Sequence, residues 1–260
     1  MKQKTFWNRV FPEMYERVDK GDQVKIWLYW ISCFVLVPQY MPLLLMGLWD
    51  NLTVSSWAEC ILFTLNAVVM FAMLREPLAD SFYMLRLDGK AILKTVGLAL
   101  LLMIPFWFLA FEICNILTAM PLYALDIFPV TETTVTITAG YLIENLPVVG
   151  TLCVTLIVPF GVCGLFYASS FAPFCYRKRW LGYLTVAAAL LVPTLADILW
   201  RGEASYNMAA YLARLPVHLL ACWTYQKTDN MWSPILCLGG WNLLTALAYL
   251  AMNGIPGIWG

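Results

Sequence analysis

Charge is scarce in this sequence. Charged residues make up only 12% of the 260-residue chain, and histidine occurs once, as His218. An ordinary soluble domain carries roughly 25% charged residues, whereas here 62% of the residues are hydrophobic. A water-soluble core of this size could not hide so much apolar surface, but a bilayer can. The formal net charge is zero, so no basic field points to nucleic acid. The eight cysteines stand singly in apolar segments, without a CxxC pair or a Cys/His cluster. That excludes the usual zinc spacings and a disulfide framework, and predicts reduced packing residues with no metal or cofactor. A short apolar stretch with a small-residue cleavage site is also missing; the charged segment 1–25 runs into a full-length apolar one, so no cleavable signal is expected.

What is present is a series of long apolar runs. A membrane span needs about 20 mostly apolar residues, and candidates lie at 26–48, 57–74, 91–117, 181–199, 206–225 and 232–252. A longer run covers 135–174. As one helix it would reach about 60 Å, about twice the hydrocarbon core, so it must break, with Pro147 and Pro159 as the obvious places. The expectation is a short interfacial or re-entrant piece near 135–146 and one true span near 150–174. The fold class is therefore all-α, a polytopic membrane helix bundle of about seven transmembrane helices. Its domains are a cytoplasmic interfacial segment, 1–25, and a single transmembrane domain, 26–260.

Basic residues give the orientation. All but Arg201 and Arg214 of the sixteen fall before the first span, in 75–94, in 177–179, or at Lys227. These are alternate loops, which places the N-terminus in the cytoplasm and the C-terminus outside. On this reading 75–90 is a cytoplasmic loop, while 50–56 and 118–131 face out. Phe6, Trp7, Val10, Phe11, Met14 and Val18 share one helical face, which suits a helix lying in the interface with lipid. Most of the twelve Trp and thirteen Tyr are read as interface markers.

Ionisable residues inside spans are costly, and each is a functional hypothesis by default. Arg214 and His218 are one turn apart on the sixth span, with Asp197, Glu144 and Glu112 as candidate partners. The first reading is structural, a paired or snorkelling Arg214; the second is a polar pocket for a partner helix or small ligand. Asn242 with Thr194 is expected to hydrogen-bond between helices, and Gly239-Gly240 to allow close packing.

One segment carries a resemblance. Tyr225, Thr228, Asn230, Trp232, Pro234 and Ile235, followed by Asn242, resemble the third motif region of the CPBP family. These are the CAAX prenyl proteases and bacteriocin-processing or immunity (Abi) proteins, which typically show a Tyr-x-x-Thr-Gly-x-Leu-Trp-x-Pro-Ile turn, then His-x-x-x-Asn. The resemblance covers about 150–250. It puts Leu238 at the family's His, Val162 and Cys163 at its glutamate pair, Tyr167 at its arginine and Thr194 at its second His. The family's carboxylate is thought to activate water, with His and Asn binding the reacting centre. Val162, Cys163, Thr194 and Leu238 supply no base. A second register, placing Glu144-Asn145 at the glutamate pair, still lacks the arginine and both histidines. Cys163 has no evident base or cation to make it a nucleophile.

The resemblance thus implies a catalytically degenerate protein of a bacterial cell membrane. Its expected role is scaffold, regulator or immunity-type partner of another membrane or envelope protein. The alternatives are an active protease with atypical residues, and a lipid- or small-molecule-binding protein or transporter, suggested by Arg214, His218 and the broken 135–174 run.

Overall fold

In the computed structural model the residues described are 52–119, 143, 145–165, 171–201 and 204–253. They are helical apart from short turns, with no strand among them. In chain order the helices are α1 (Leu52–Met73), α2 (Arg75–Ala119), α3 (Pro147–Leu152), α4 (Val158–Leu165), α5 (Ala172–Arg177), α6 (Arg179–Arg201), α7 (Ala204–Thr228) and α8 (Trp232–Asn253). A π-helical turn, Cys153–Ile157, joins α3 to α4. Four of the expected spans, 57–74, 181–199, 206–225 and 232–252, coincide with α1, α6, α7 and α8 to within a few residues. The expected first span, the interfacial face at 6–18 and most of the piece near 135–146 fall outside the described residues.

The loop expected at 75–90 is helix instead. It forms the first part of the 45-residue α2, which turns at Asp88 (φ −115°, ψ 25°) into the apolar second part. The reason is a buried stripe that ignores the charges: Leu78, Ile92 and Ala99, with Leu85 half-buried, then Val96, Met103 and Ala110. These recur at seven-residue steps, the spacing that keeps one helix face against a partner. The partners are α7 and α8, which meet α2 as a helical hairpin. At Met70–Leu78 the backbone turns from α1 to α2 without leaving helical bonding: Leu74 N donates to Met70 O and Leu78 N to Leu74 O.

Of the two expected proline breaks, the second is revised. Pro147 opens α3, where a missing N–H costs nothing. Pro159 does not end the helix. A proline ring clashes with the carbonyl four residues back, here Thr155, and the π-helical turn absorbs that clash by adding a residue to the turn.

The buried core runs through all of these helices, with Phe171 edge-on to both Tyr183 and Tyr225 at ring-centroid distances of 5.2 and 6.0 Å. The outer faces are apolar too: Leu101 is 67% exposed, Leu156 64%, Leu184 56% and Leu247 53%. Two stretches, Leu78–Ala110 and Trp232–Ala251, are long and apolar enough to cross a membrane. A soluble monomer rarely exposes contiguous apolar patches beyond a few hundred Å²; hydrocarbon accepts them.

Candidate functional site

Two polar joints stand out in this apolar body. The first forms where α8 crosses the π-helical turn. The wider turn leaves carbonyls without their usual helical donors, and α8 meets them. Asn242 Nδ2 donates to Val154 O at 2.9 Å. One turn earlier, a Cβ on Gly239 would lie 2.8 Å from Thr155 O, so only glycine lets α8 come this close. Gly240 packs on Leu100 of α2 in the same way, a Cβ there meeting its Cδ1 at 3.0 Å. Beside this joint α1 lays Asn66 against Gly161 of α4. Asn66 is 4% exposed, and its Oδ1 is buried without a hydrogen bond.

The second joint is the turn between α7 and α8. Asn230 is fully buried; its Oδ1 accepts from Trp232 N at 2.8 Å, capping α8, and its Nδ2 donates to Ser81 O at 2.6 Å. Trp232 Nε1 donates to Leu78 O at 3.0 Å. Leu78 and Ser81 lie three residues apart on one face of α2, so the turn grips that helix at two carbonyls. Within the turn, Thr228 Oγ1 donates to Ser233 Oγ, and Ser233 Oγ to Asn230 O. Tyr183 of α6 closes the far side by donating to Gln226 Oε1. Aromatic contacts spread the grip: Arg86 lies over the Phe82 ring, Phe82 is edge-on to Trp232, and Trp232 meets Phe160, which meets Phe71 of α1. The turn singled out in the sequence, with Asn230 and Trp232, thus holds helices together.

The sequence-predicted site residues disperse. Leu238 is buried in the core of α8. Thr194 is buried on α6, which packs on α5 and α7, and its hydroxyl donates to Leu190 O at 3.2 Å. In place of the expected Thr194–Asn242 bond there are two separate ones, Thr194 to Leu190 O and Asn242 to Val154 O. Val162 and Cys163 follow Gly161 on α4, close in sequence to the Asn242 joint; their side chains, Asp197's side chain, Tyr167 and Glu144 lie outside what is described. Arg214 is on the exposed side of α7, and His218 is half-buried one turn on, with its Nδ1 covered. Glu112 is exposed on α2. Cys60, Cys153, Cys175, Cys222 and Cys237 are free and buried. Among the described residues no three His, Cys, Asp or Glu side chains converge as a metal-binding group.

Sequence reasoning missed Asn66, Ser81 and Asp229. The only available signal for Asn66 was its isolation in an apolar run; Ser81 was hidden by its assignment to a loop. No protein-family model, curated protein or solved structure matches the chain.

Proposed function

We propose that this chain is a polytopic protein of the cell membrane that holds another membrane or envelope protein, as scaffold, regulator or immunity-type partner, without catalysing a reaction. The proposed architecture is seven spans with a cytoplasmic N-terminus and an external C-terminus. The bacterial setting and the CPBP relationship belong to the same proposal and rest on the motif resemblance. One observation carries the reading. Asn242, the residue that would bind a reacting centre, is tied to the Val154 carbonyl, and the histidine position beside it is the buried Leu238. Amide hydrolysis needs a base or metal to make a nucleophile and donors for the oxyanion; at this joint the groups are carbonyls, an amide and methyls.

One alternative has an observation in its favour. π-helical turns occur frequently at functional sites, and this one lies beside the unsatisfied Asn66 Oδ1, which favours a lipid- or small-molecule-binding role over protease activity.

Protein purified in mild detergent from its native membrane tests both readings. It is expected to carry a second membrane or envelope protein in fixed ratio and to leave prenylated and leader peptides intact. Time-dependent cleavage abolished by Glu144→Gln would establish the protease instead, and a tightly held lipid or small molecule without protein would favour the alternative.

A further inference from the structure

The turn between α7 and α8 contains a side chain that its hydrogen bonds do not use. Asp229 directly follows Thr228, the last residue of α7, and has φ 53°, the left-handed conformation that ends helices. Its N–H donates to Tyr225 O at 2.8 Å. Both carboxyl oxygens are covered, and neither makes a hydrogen bond. Two circumstances oppose a negative charge here. The group is buried without a hydrogen-bond partner, and it sits at the negative end of the α7 dipole.

The ionisable groups on the surrounding elements do not relieve it. They include Cys222, Tyr225 and Lys227 on α7, Arg179 and Tyr183 on α6, Cys175 on α5, and Asp80, Tyr83 and Arg86 on α2; the first turns of α8 carry none but Cys237. None forms a hydrogen bond with the Asp229 carboxyl. The Tyr183 hydroxyl is spent on Gln226, and Arg86 lies over Phe82. Asp229 is also the neighbour of Asn230, whose two bonds cap α8 and hold α2. A change in its charge is therefore delivered directly to the joint.

We propose that Asp229 is a proton-binding latch: as the neutral acid it lets the turn close on α2, and as the carboxylate it draws the turn toward water and loosens the Asn230–Ser81 and Trp232–Leu78 bonds. Burial pushes its carboxyl up from the ordinary 3.8 to about 7, so the change falls near neutral pH. The closed state then holds its proton longer than the open one. Its advantage is complete below about pH 4, falls as pH rises toward 7, and is level above that. The latch does not depend on the proposed partner-holding role, since it concerns only the grip of one turn on one helix.

Hydrogen–deuterium exchange of the full chain in detergent micelles tests it, followed on peptides covering 226–236 and 78–88 at pH 5.5 and pH 8. Asp229→Asn keeps the shape without the charge, and Asp229→Gly keeps the left-handed backbone without the carboxyl. Comparison at equal pH cancels the intrinsic exchange rate. The ratio of wild-type to variant exchange in both peptides should rise on the order of tenfold between the two pH values, with peptides from the middle of α6 unchanged. An unchanging ratio overturns the latch. So does wild-type exchange in these peptides that, corrected for the intrinsic rate, is constant from pH 5.5 to 8, a result that needs neither variant to fold.

Discussion

Replacing Gly239 with valine should unfold or severely destabilise the bundle, whereas Gly97→Ala should leave it intact or slightly more stable. Both glycines lie inside long helices, so propensity alone predicts a gain of up to about 1 kcal/mol for adding a Cβ at either. Their surroundings separate them. A Cβ at Gly97 meets nothing within 4 Å, while at Gly239 it would be 2.8 Å from Thr155 O. That oxygen belongs to the backbone, and Pro159 and the π-helical turn already fix its direction. Relief would require α8 to move off the turn, and with it the Asn242–Val154 bond and the Gly240–Leu100 contact. Overpacking of this kind typically costs about 1–3 kcal/mol, and more where the obstacle cannot yield. A domain stable by only about 5–15 kcal/mol feels that as a large fraction. Thermal unfolding in detergent, read on the two variants side by side, checks the expectation. Equal melting temperatures would mean that α8 does not meet the turn at Gly239.

Asn230→Ala should produce the next largest loss, about 2–4 kcal/mol, in the same assay. Its parts are the α8 cap, worth about 1 kcal/mol, and a buried hydrogen bond to Ser81 O whose removal leaves polar groups unsatisfied, at about 1–3 kcal/mol. Asn230→Asp separates the two. It keeps an acceptor for Trp232 N but has no amide to donate to Ser81 O, and it places a second carboxyl beside Asp229. It should be no better than alanine above pH 7, and should recover part of its stability on acidification. An aspartate variant as stable as wild type at pH 8 would show that the contact to α2 contributes little.

These two sites also show where the sequence was informative. Apolar runs of span length fixed four helices nearly to their ends, because a helix that must meet hydrocarbon or core along its whole length leaves few alternatives. Charge misled at 75–90. Arg75, Asp80, Arg86 and Asp88 read as a loop, yet they line the exposed side of a helix whose other side carries Leu78 and Leu85. The seven-residue stripe from Leu78 to Ala110 was available in the sequence, but polar residues diluted its first two steps. Proline misled in a different way. Pro159 announced a break, and the chain met it with one wider turn, an outcome that depends on α8 supplying Asn242 to a freed carbonyl. Asn242 and the turn at 225–235 were legible as special. Their partners were not, since Ser81 lies 149 positions from Asn230, and Val154 88 positions from Asn242, in sequence. Asp229 was illegible for the same reason: neither its burial nor its lack of a partner is a local property.

The central claim is that this bundle lies in a bilayer with the α7–α8 turn and the first part of α2 on the cytoplasmic side. Thiol labelling in intact cells, with a reagent that cannot cross the membrane, addresses it most directly. Tyr83 of α2 is 64% exposed, so a cysteine there is reachable from whichever compartment it faces. The native cysteines described are buried and should stay silent. Tyr83→Cys should remain unlabelled until the cells are permeabilised, while Asp126→Cys, in the segment assigned to the outside, should label at once. Immediate labelling at position 83 with none at 126 would contradict the orientation, and with it the cytoplasmic placement of both the joint at Asn230 and the latch at Asp229.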